Sequence, residues 1–550
     1  MLSQILPAHL GWAAWLLFAV VLTAAALIYS FIYEDRPYPN IPIVGQVPWD
    51  FLNMKTKERF VRYANEVLAQ GLLEHPHRPF QVNGANGPLI ILPPRFANEI
   101  RHDPRLSFTG VIEHNFFPTY PGLDIFSPIG PGNDILQTVV RKHLSGGAAL
   151  DTALTPALSD EMRRALASTI TPLTTTPHFP SSPSSPSSSS ADATKDTQQW
   201  QPLKFFPLAP HLTARVSSRA FLGAPLCRDA AWLDVAVRYT VDAFFAVRAL
   251  RTVPPVLRAV AAGYVLPEMR VVREEVGRAR EVVGGEVEKR RRERLERGVG
   301  RKEGEKEGEG EGDAIAWFDE VAGGREYDIV REQLMLSVAA IHTTSVTLVA
   351  LLYDLAENPE WIGRVREEVV AVLREDGGWK RGTLGKMRLL DSCMKESQRL
   401  HTVGALSMNR RVEQAMTLSD GTHLPRGALL GIPTLTMRDP VTSCWGPTAP
   451  HFIGDRFLKL REQSSGAGNR HQFVSTSADH MGFGYGRQAC PGRFFAAAQI
   501  KVSIVHLLLN FDWRWPEGKG QPQSVIQSEH IPDPEAEILF RRRVPEIDLL

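Results

Sequence analysis

Twenty consecutive residues, Leu334 to Tyr353, contain no Asp, Glu, Lys or Arg. That length matches a bilayer core, yet Ser337, His342, Thr343, Thr344, Ser345 and Thr347 make one side too polar for lipid. A long helix buried in a protein core fits better. The 550 residues and 43% hydrophobic content are enough to build a large core around it. A formal net charge of +1 argues against a nucleic-acid binder. Four cysteines (Cys227, Cys393, Cys444 and Cys490) are too scattered for a disulfide framework or a zinc site, which fits a reducing compartment. The first three read as packing residues.

The fourth cysteine lies in a different setting. Met481 to Phe495 reads Met-Gly-Phe-Gly-Tyr-Gly-Arg-Gln-Ala-Cys-Pro-Gly-Arg-Phe-Phe, a glycine-rich loop running into an apolar helix. Gly482, Gly484 and Gly486 permit positive φ and let the backbone lie flat against a planar ligand. Pro491 suits the first turn of a helix. Cys490 is thereby expected at a helix N-terminus, where free N–H groups and the helix dipole favour a thiolate over a thiol. A thiolate held this way is a strong axial donor to haem iron.

Phe483 stands seven residues before Cys490, Gly486 four before and Gly492 two after. This spacing resembles the haem-binding loop of the cytochrome P450 family, and Gly-Arg-x-Ala-Cys-Pro-Gly-Arg-Phe-Phe is typical of its fungal members. Thiolate-ligated haem is the known cofactor chemistry of that family. The family usually carries Arg or His two residues before the cysteine, where it meets a haem propionate; here Gln488 stands there, a donor without charge. Ala339-Ala-Ile-His-Thr-Thr344, in the uncharged run, resembles the family's oxygen-binding helix. By that resemblance Thr343 relays protons to bound dioxygen. His342 replaces the commoner acid; it either joins that relay or bonds a neighbouring helix as a core histidine. Thr344 is expected to bond back to its own helix.

Glu396 and Arg399, three apart on a helical face, would ordinarily be an exposed pair worth a few tenths of a kcal/mol. In the resembled family such a pair is buried and locked to a downstream arginine, here Arg456 of Asp455-Arg-Phe457. The trio would hold the loop under the haem. Arg410 is favoured over Arg411 for a propionate, and Arg141 or Lys142 is a further candidate. Val403, Ala405 and Leu406 are expected pocket walls, with no ionisable residue near Val403. That lining suggests a lipophilic substrate.

Leu10 to Ile32 carries no charge and is followed by Glu34, Asp35 and Arg36. This reads as a retained transmembrane anchor over residues 1–35, and the nearest positive residues all follow it, which places the body in the cytosol. Residues 36–550 then form one haem-thiolate domain interrupted by two low-complexity inserts, a Ser/Pro run at 171–199 and a Lys/Glu/Gly run at 298–313. Amphipathic or periodic stretches predict helices over 60–72, 135–144, 232–248, 267–297, 387–401 and 494–509. A hairpin is expected over 79–92, an aromatic loop over 107–132 and a terminal sheet around Phe511, Trp513 and Trp515. Asn358 reads as the N-cap of a helix that Gly377-Gly378 ends.

The resemblance implies a mainly α fold, a helical prism with a small β region. It implies haem, O2, a lipophilic terpenoid or indole diterpenoid of fungal secondary metabolism, and electrons from an NADPH-cytochrome P450 reductase. The reductase would dock near Arg487, Arg493 and Lys501, with the protein in the endoplasmic reticulum membrane. Two other readings compete: a thiolate-haem isomerase or dehydratase that inserts no oxygen, and a non-enzymatic haem sensor.

Overall fold

The computed structural model describes residues 11–127, 134–146, 150–175, 199–298, 312–463 and 469–549. Its axis is the helix Ile329–Glu357, longer at both ends than the uncharged run. Asp328 starts it by accepting hydrogen bonds from the backbone N–H groups of Val330 and Arg331. It packs against the helices Phe205–Phe221, Ala230–Arg251, Pro267–Gly298, Pro359–Asp376, Arg388–Leu400 and Arg493–Asn510. Leu334, Ile341, Leu348, Val349, Leu351, Leu352 and Leu355 are buried among them. The run is therefore a core helix. Burying its Leu, Ile and Val side chains is worth about 1.5–3 kcal/mol each.

The β region has three sheets. Strands β1 (Phe80–Gly84), β2 (Gly87–Ile91), β3 (Leu106–Ser107), β5 (Leu406–Val412) and β8 (Leu429–Pro433) pair in the order β1-β2-β8-β5-β3. Strands β4 (Gln201–Leu203), β9 (Phe511–Arg514) and β10 (Ile538–Arg542) form the second in the order β4-β10-β9, and β6 (Met416–Thr417) with β7 (His423–Leu424) form a two-stranded turn. Phe205, Phe511, Trp513 and Phe540 stack beside the second sheet and tie it to the helical core.

Several expected elements differ in detail. The helix expected over 60–72 is two helices, Met54–Arg62 and Ala64–Glu74, broken at Tyr63. The aromatic loop contains a helix, Phe108–Phe116, started by the Ser107 hydroxyl. Asn358 does not cap the helix that follows; its side-chain amide donates to the carbonyl of Asp354, finishing the helix before. Gly377, at φ 66°, ends the next one as expected. The helix Thr155–Thr175 enters the first insert, and Asp313, the last residue of the second, caps the helix Ala314–Ala322. Residues 176–198 and 299–311 of the inserts, 128–133 of the aromatic loop and 1–10 of the anchor lie outside the described residues. Cys227 and Cys393 are buried, whereas Cys444 is exposed.

Candidate active site

The Met481–Gly492 loop is fastened from several sides. Ser407 on β5 donates to the Met481 carbonyl at 2.7 Å, and the Cys490 N–H donates to the Phe483 carbonyl at 2.8 Å, closing the loop on itself. Phe483 packs edge-on against Phe473, with ring centroids 5.0 Å apart. The close approaches the glycines allow are to the protein itself. A Cβ on Gly486 would stand 2.4 Å from the Arg101 carbonyl oxygen, and its φ of 83° is left-handed. A Cβ on Gly482 would meet Gln398 at 2.4 Å.

Cys490 sits just before the helix Arg493–Asn510, and its side chain is exposed. Burial nonetheless pushes its thiol above the ordinary range, against the Gly492 N–H and the Arg493 charge, which favour the thiolate. Thr343 and Ala339 are likewise exposed, one turn apart on a helix whose other residues, Glu357 at its end apart, are buried or half-buried.

The Thr343 hydroxyl donates to the Ala339 carbonyl at 2.7 Å, a bond back to its own helix. His342 points elsewhere: its Nε2 lies 2.9 Å from the carbonyl oxygen of Val237, on the helix Ala230–Arg251, and burial pushes its imidazole pKa down. Of the two roles considered for it, this is the contact of a core histidine.

Glu396, Arg399 and Arg456 come together. Arg399 Nε and Nη2 each donate to Glu396 at 2.8 Å, Arg456 Nε donates to Glu396 Oε1 at 2.9 Å, and the Ile453 N–H adds 3.1 Å. Arg399 and Glu396 side chains are 0% exposed. Arg399 also donates to the carbonyls of Met437, Ala449 and His451, and Met437 Sδ accepts from the Met481 N–H at the start of the loop. The weak sequence pair is thus a buried, fully bonded network leading to the cysteine loop.

Gln488 is committed to the backbone. Its Nε2 donates to the Leu106 carbonyl at 2.7 Å, and its Oε1 accepts from the Phe108 N–H at 2.6 Å. Arg410 is buried with Nη2 lacking any partner, and burial alone pushes its pKa down to about 10. Arg411 instead faces Glu113 at 3.4 Å. Lys142 pairs with Glu320 at 2.7 Å on the surface. A buried guanidinium with an orphaned N–H and no carboxylate is what a haem propionate would complete. With an accessible cysteine and a hollow beside Thr343, the residues present fit a haem.

On the outer side of the loop a cleft of about 680 Å³ is lined by Arg101, Arg141, Arg487 and Arg493, with no acidic residue in its wall. Lys501 takes no part; it is buried, bonded to Asp391 at 2.7 Å and to the Leu384 carbonyl. Sequence reasoning missed Arg101, whose carbonyl accepts from the Arg487 N–H and whose guanidinium lies over the Tyr485 ring. Nothing local to Arg101 signals that role. It also missed the hairpin tip 526–531, which is pinned to the turn after Val403 by Ala405 N–H to the Ser528 carbonyl at 3.1 Å.

Residues 323–540 match the family described as Cytochrome P450. The chain is 38% identical over 528 residues to cytochrome P450 monooxygenase hepE of Aspergillus oryzae, covering 94% of this chain and 89% of that protein. It is 36% identical over 545 residues to cytochrome P450 monooxygenase pyr3 of Aspergillus fumigatus, covering 98% and 96%. Its fold is similar to a crystal structure of a cytochrome P450DA haem domain, with TM-score 0.65 at 17% identity, over 92% of this chain and 98% of that one. With relatives of this identity along nearly its whole length, the chain belongs to the cytochrome P450 family, as a monooxygenase that uses haem held by a cysteine thiolate, dioxygen, a small-molecule substrate and a redox partner.

Proposed function

We propose that this monooxygenase hydroxylates or epoxidises a lipophilic secondary metabolite, a terpenoid or indole diterpenoid. The observation that carries the substrate class is an aromatic wall. Phe116 stacks on Phe126 at 4.1 Å and meets Phe244 edge-on at 5.3 Å, joining the loop 107–127 to the helix Ala230–Arg251. Phe244 remains exposed beside them. Flat, apolar surfaces of this kind suit a rigid carbon skeleton.

In this reading Cys490 ligates the iron, Phe483 and Gly486 shape the loop around it, and Arg410 binds a propionate. Glu396, Arg399 and Arg456 hold the loop in place. Haem, held by these residues, would supply the chemistry that activates dioxygen and oxidises the substrate. Thr343 holds a proton at its hydroxyl, released from the Ala339 carbonyl when a better acceptor arrives. His342 keeps the central helix against the helix Ala230–Arg251. The arginine-lined cleft takes the acidic face of a membrane-bound NADPH-cytochrome P450 reductase.

The chain divides into an anchor over residues 1–35 and a cytosolic domain over 36–550 at the endoplasmic reticulum membrane. Support comes from the helix Gly11–Glu34, whose Trp12, Trp15, Leu16, Leu17 and Phe18 are exposed. Glu34 at its end grips Arg258 through two bonds of 2.6 and 2.5 Å. That arginine follows Val256 and Leu257 and precedes Val260, Tyr264 and Val265, all of them exposed and apolar. Both surfaces can then lie in one bilayer.

The test is conversion of candidate terpenoids by membranes containing the protein and a reductase, under isotopically heavy dioxygen. Label in a product that requires NADPH supports the proposal. Unlabelled product formed without NADPH or dioxygen overturns it.

A further inference from the structure

We infer that a cleft between the helices Ala230–Arg251 and Pro267–Gly298 binds the headgroup of a phosphatidylethanolamine lipid, with the ammonium on Asp242 and Glu268 and the phosphate on Arg248. The inference rests on the bilayer reading above and goes beyond it. The cleft holds about 430 Å³. Thr252 and Pro267 in its wall bracket the segment that carries the exposed Val256, Leu257, Val260, Tyr264 and Val265. The cleft thereby stands at the edge of the apolar surface turned to the bilayer, at the level where headgroups lie. Phe245, Ala249 and Val271 give it an apolar side along which the start of an acyl chain can pack.

Unpaired atoms and charge select the headgroup. Asp242 and Glu268 both line the cleft, and Oδ2 of the first and Oε2 of the second are buried without a hydrogen-bond partner. Arg238 Nε stands 4.0 Å from Asp242, beyond hydrogen-bond reach. Glu275 follows Glu268 and Val271 on the same helix face, at the i, i+3, i+7 spacing, and lies beneath them. Its side chain is 1% exposed, and neither of its oxygens has a hydrogen-bond partner. Burial and the facing Asp242 carboxyl push its pKa up to about 8. Arg278, 3.6 Å from Glu275, is committed to Asp234 at 2.9 Å. Carboxyl groups so short of donors are costly, and an ammonium group supplies three N–H donors at once. A simple cation would meet Arg248, which lines the same cleft and makes no hydrogen bond or ion pair among the described residues. A zwitterion gives that guanidinium a phosphate instead. Choline does not fit, because it has no N–H. The aromatic cage that holds a quaternary ammonium is missing too, Phe245 being the one ring in the wall among the described residues.

The test uses the full-length, haem-loaded protein in detergent and calorimetry with two short-chain lipids below their micelle concentrations, dihexanoylphosphatidylethanolamine and dihexanoylphosphatidylcholine. The ethanolamine lipid is expected to bind about tenfold or more tightly, the usual worth of a hydrogen bond to a charged group. In the double variant Asp242→Asn, Glu268→Gln that preference falls to near one. Arg248→Leu weakens both lipids alike and keeps the ratio, which separates recognition of the ammonium from general damage. An intact carbon monoxide spectrum in each variant shows that folding is unaffected. Equal binding of the two lipids, or a preference that survives the double variant, overturns the inference. So does free phosphoethanolamine binding as tightly as the lipid, because the occupant is then a soluble molecule. Bilayers whose acyl chains carry a photoreactive diazirine check the bilayer reading apart. Label on residues 253–266 with equal lipid binding overturns the headgroup site alone, and no label there overturns the bilayer reading and the inference with it.

Discussion

Replacing Glu396 by Gln is the sharpest test of how this fold supports its haem loop. The carboxylate accepts four hydrogen bonds: two from Arg399, one from Arg456 and one from the Ile453 N–H. An amide offers one oxygen, and its NH2 must then face a guanidinium or a backbone N–H. At least one charge-assisted bond, worth about 1.5–3 kcal/mol, is lost. Two buried guanidinium groups also lose their only carboxylate, which costs about 3–5 kcal/mol when nothing else compensates. Arg399 keeps the carbonyls of Met437, Ala449 and His451, so the lower part of that range, about 3 kcal/mol, is the expected effect. Against a typical total of about 5–15 kcal/mol this is a large share. The damage should pass through Met437, whose sulfur accepts from Met481, into the cysteine loop. Glu396→Gln should therefore lower both haem content and the urea midpoint followed by the haem absorption band. A variant with wild-type haem content and an unchanged midpoint would refute the reasoning.

Two further outcomes are expected. Arg410→Leu should split the two states of the protein, because it removes an orphaned buried cation from the chain without haem and a propionate partner from the loaded one. The haem-free chain should be as stable or more stable, while haem transfer to an excess of apomyoglobin should quicken by roughly tenfold. Acid should destabilise the fold well above the carboxylate range, since burial pushes His506 and His530 down to about 4. Their folded pKa values lie below those of the unfolded chain, so no stability is lost above pH of about 6.5. Below it the unfolded state gains protons first, and about 3 kcal/mol per histidine is lost as pH falls toward 4. Urea midpoints across that range measure the slope, and His506→Gln should flatten it.

The elements that could be read from sequence are those whose cause is local. Gly377 ends a helix through its own backbone, and the uncharged run fixes a buried helix by composition alone. The cysteine loop is likewise local: seven residues link Phe483 to Cys490, and the N–H of one bonds the carbonyl of the other. What failed depends on partners far along the chain. Lys501 reads as a surface cation on an amphipathic helix until Asp391, 110 residues earlier by number (501 − 391), is seen to bury it. The hairpin tip 526–531 reaches the turn after Val403 through Ala405, a contact for which no nearby residue codes. Tyr63 ended a helix at a position where the periodicity continues.

Gln488 brings these two kinds of information together. From sequence it reads as a loss, an uncharged residue where a cation usually meets a propionate. Its surroundings give it a different task, because it bonds a carbonyl and an N–H that stand two residues apart at Leu106 and Phe108. Only a side chain with both a donor and an acceptor satisfies that pair; an arginine has no acceptor and would leave the Phe108 N–H unpaired. The amide therefore stitches the cysteine loop to β3 and to the start of the helix Phe108–Phe116. That helix carries Phe116 to the aromatic wall. Gln488 thus couples the loop around Cys490 to the aromatic wall of Phe116 and Phe126. The candidate for the haem acids is then the buried Arg410, whose Nη2 has no hydrogen-bond partner among the described residues.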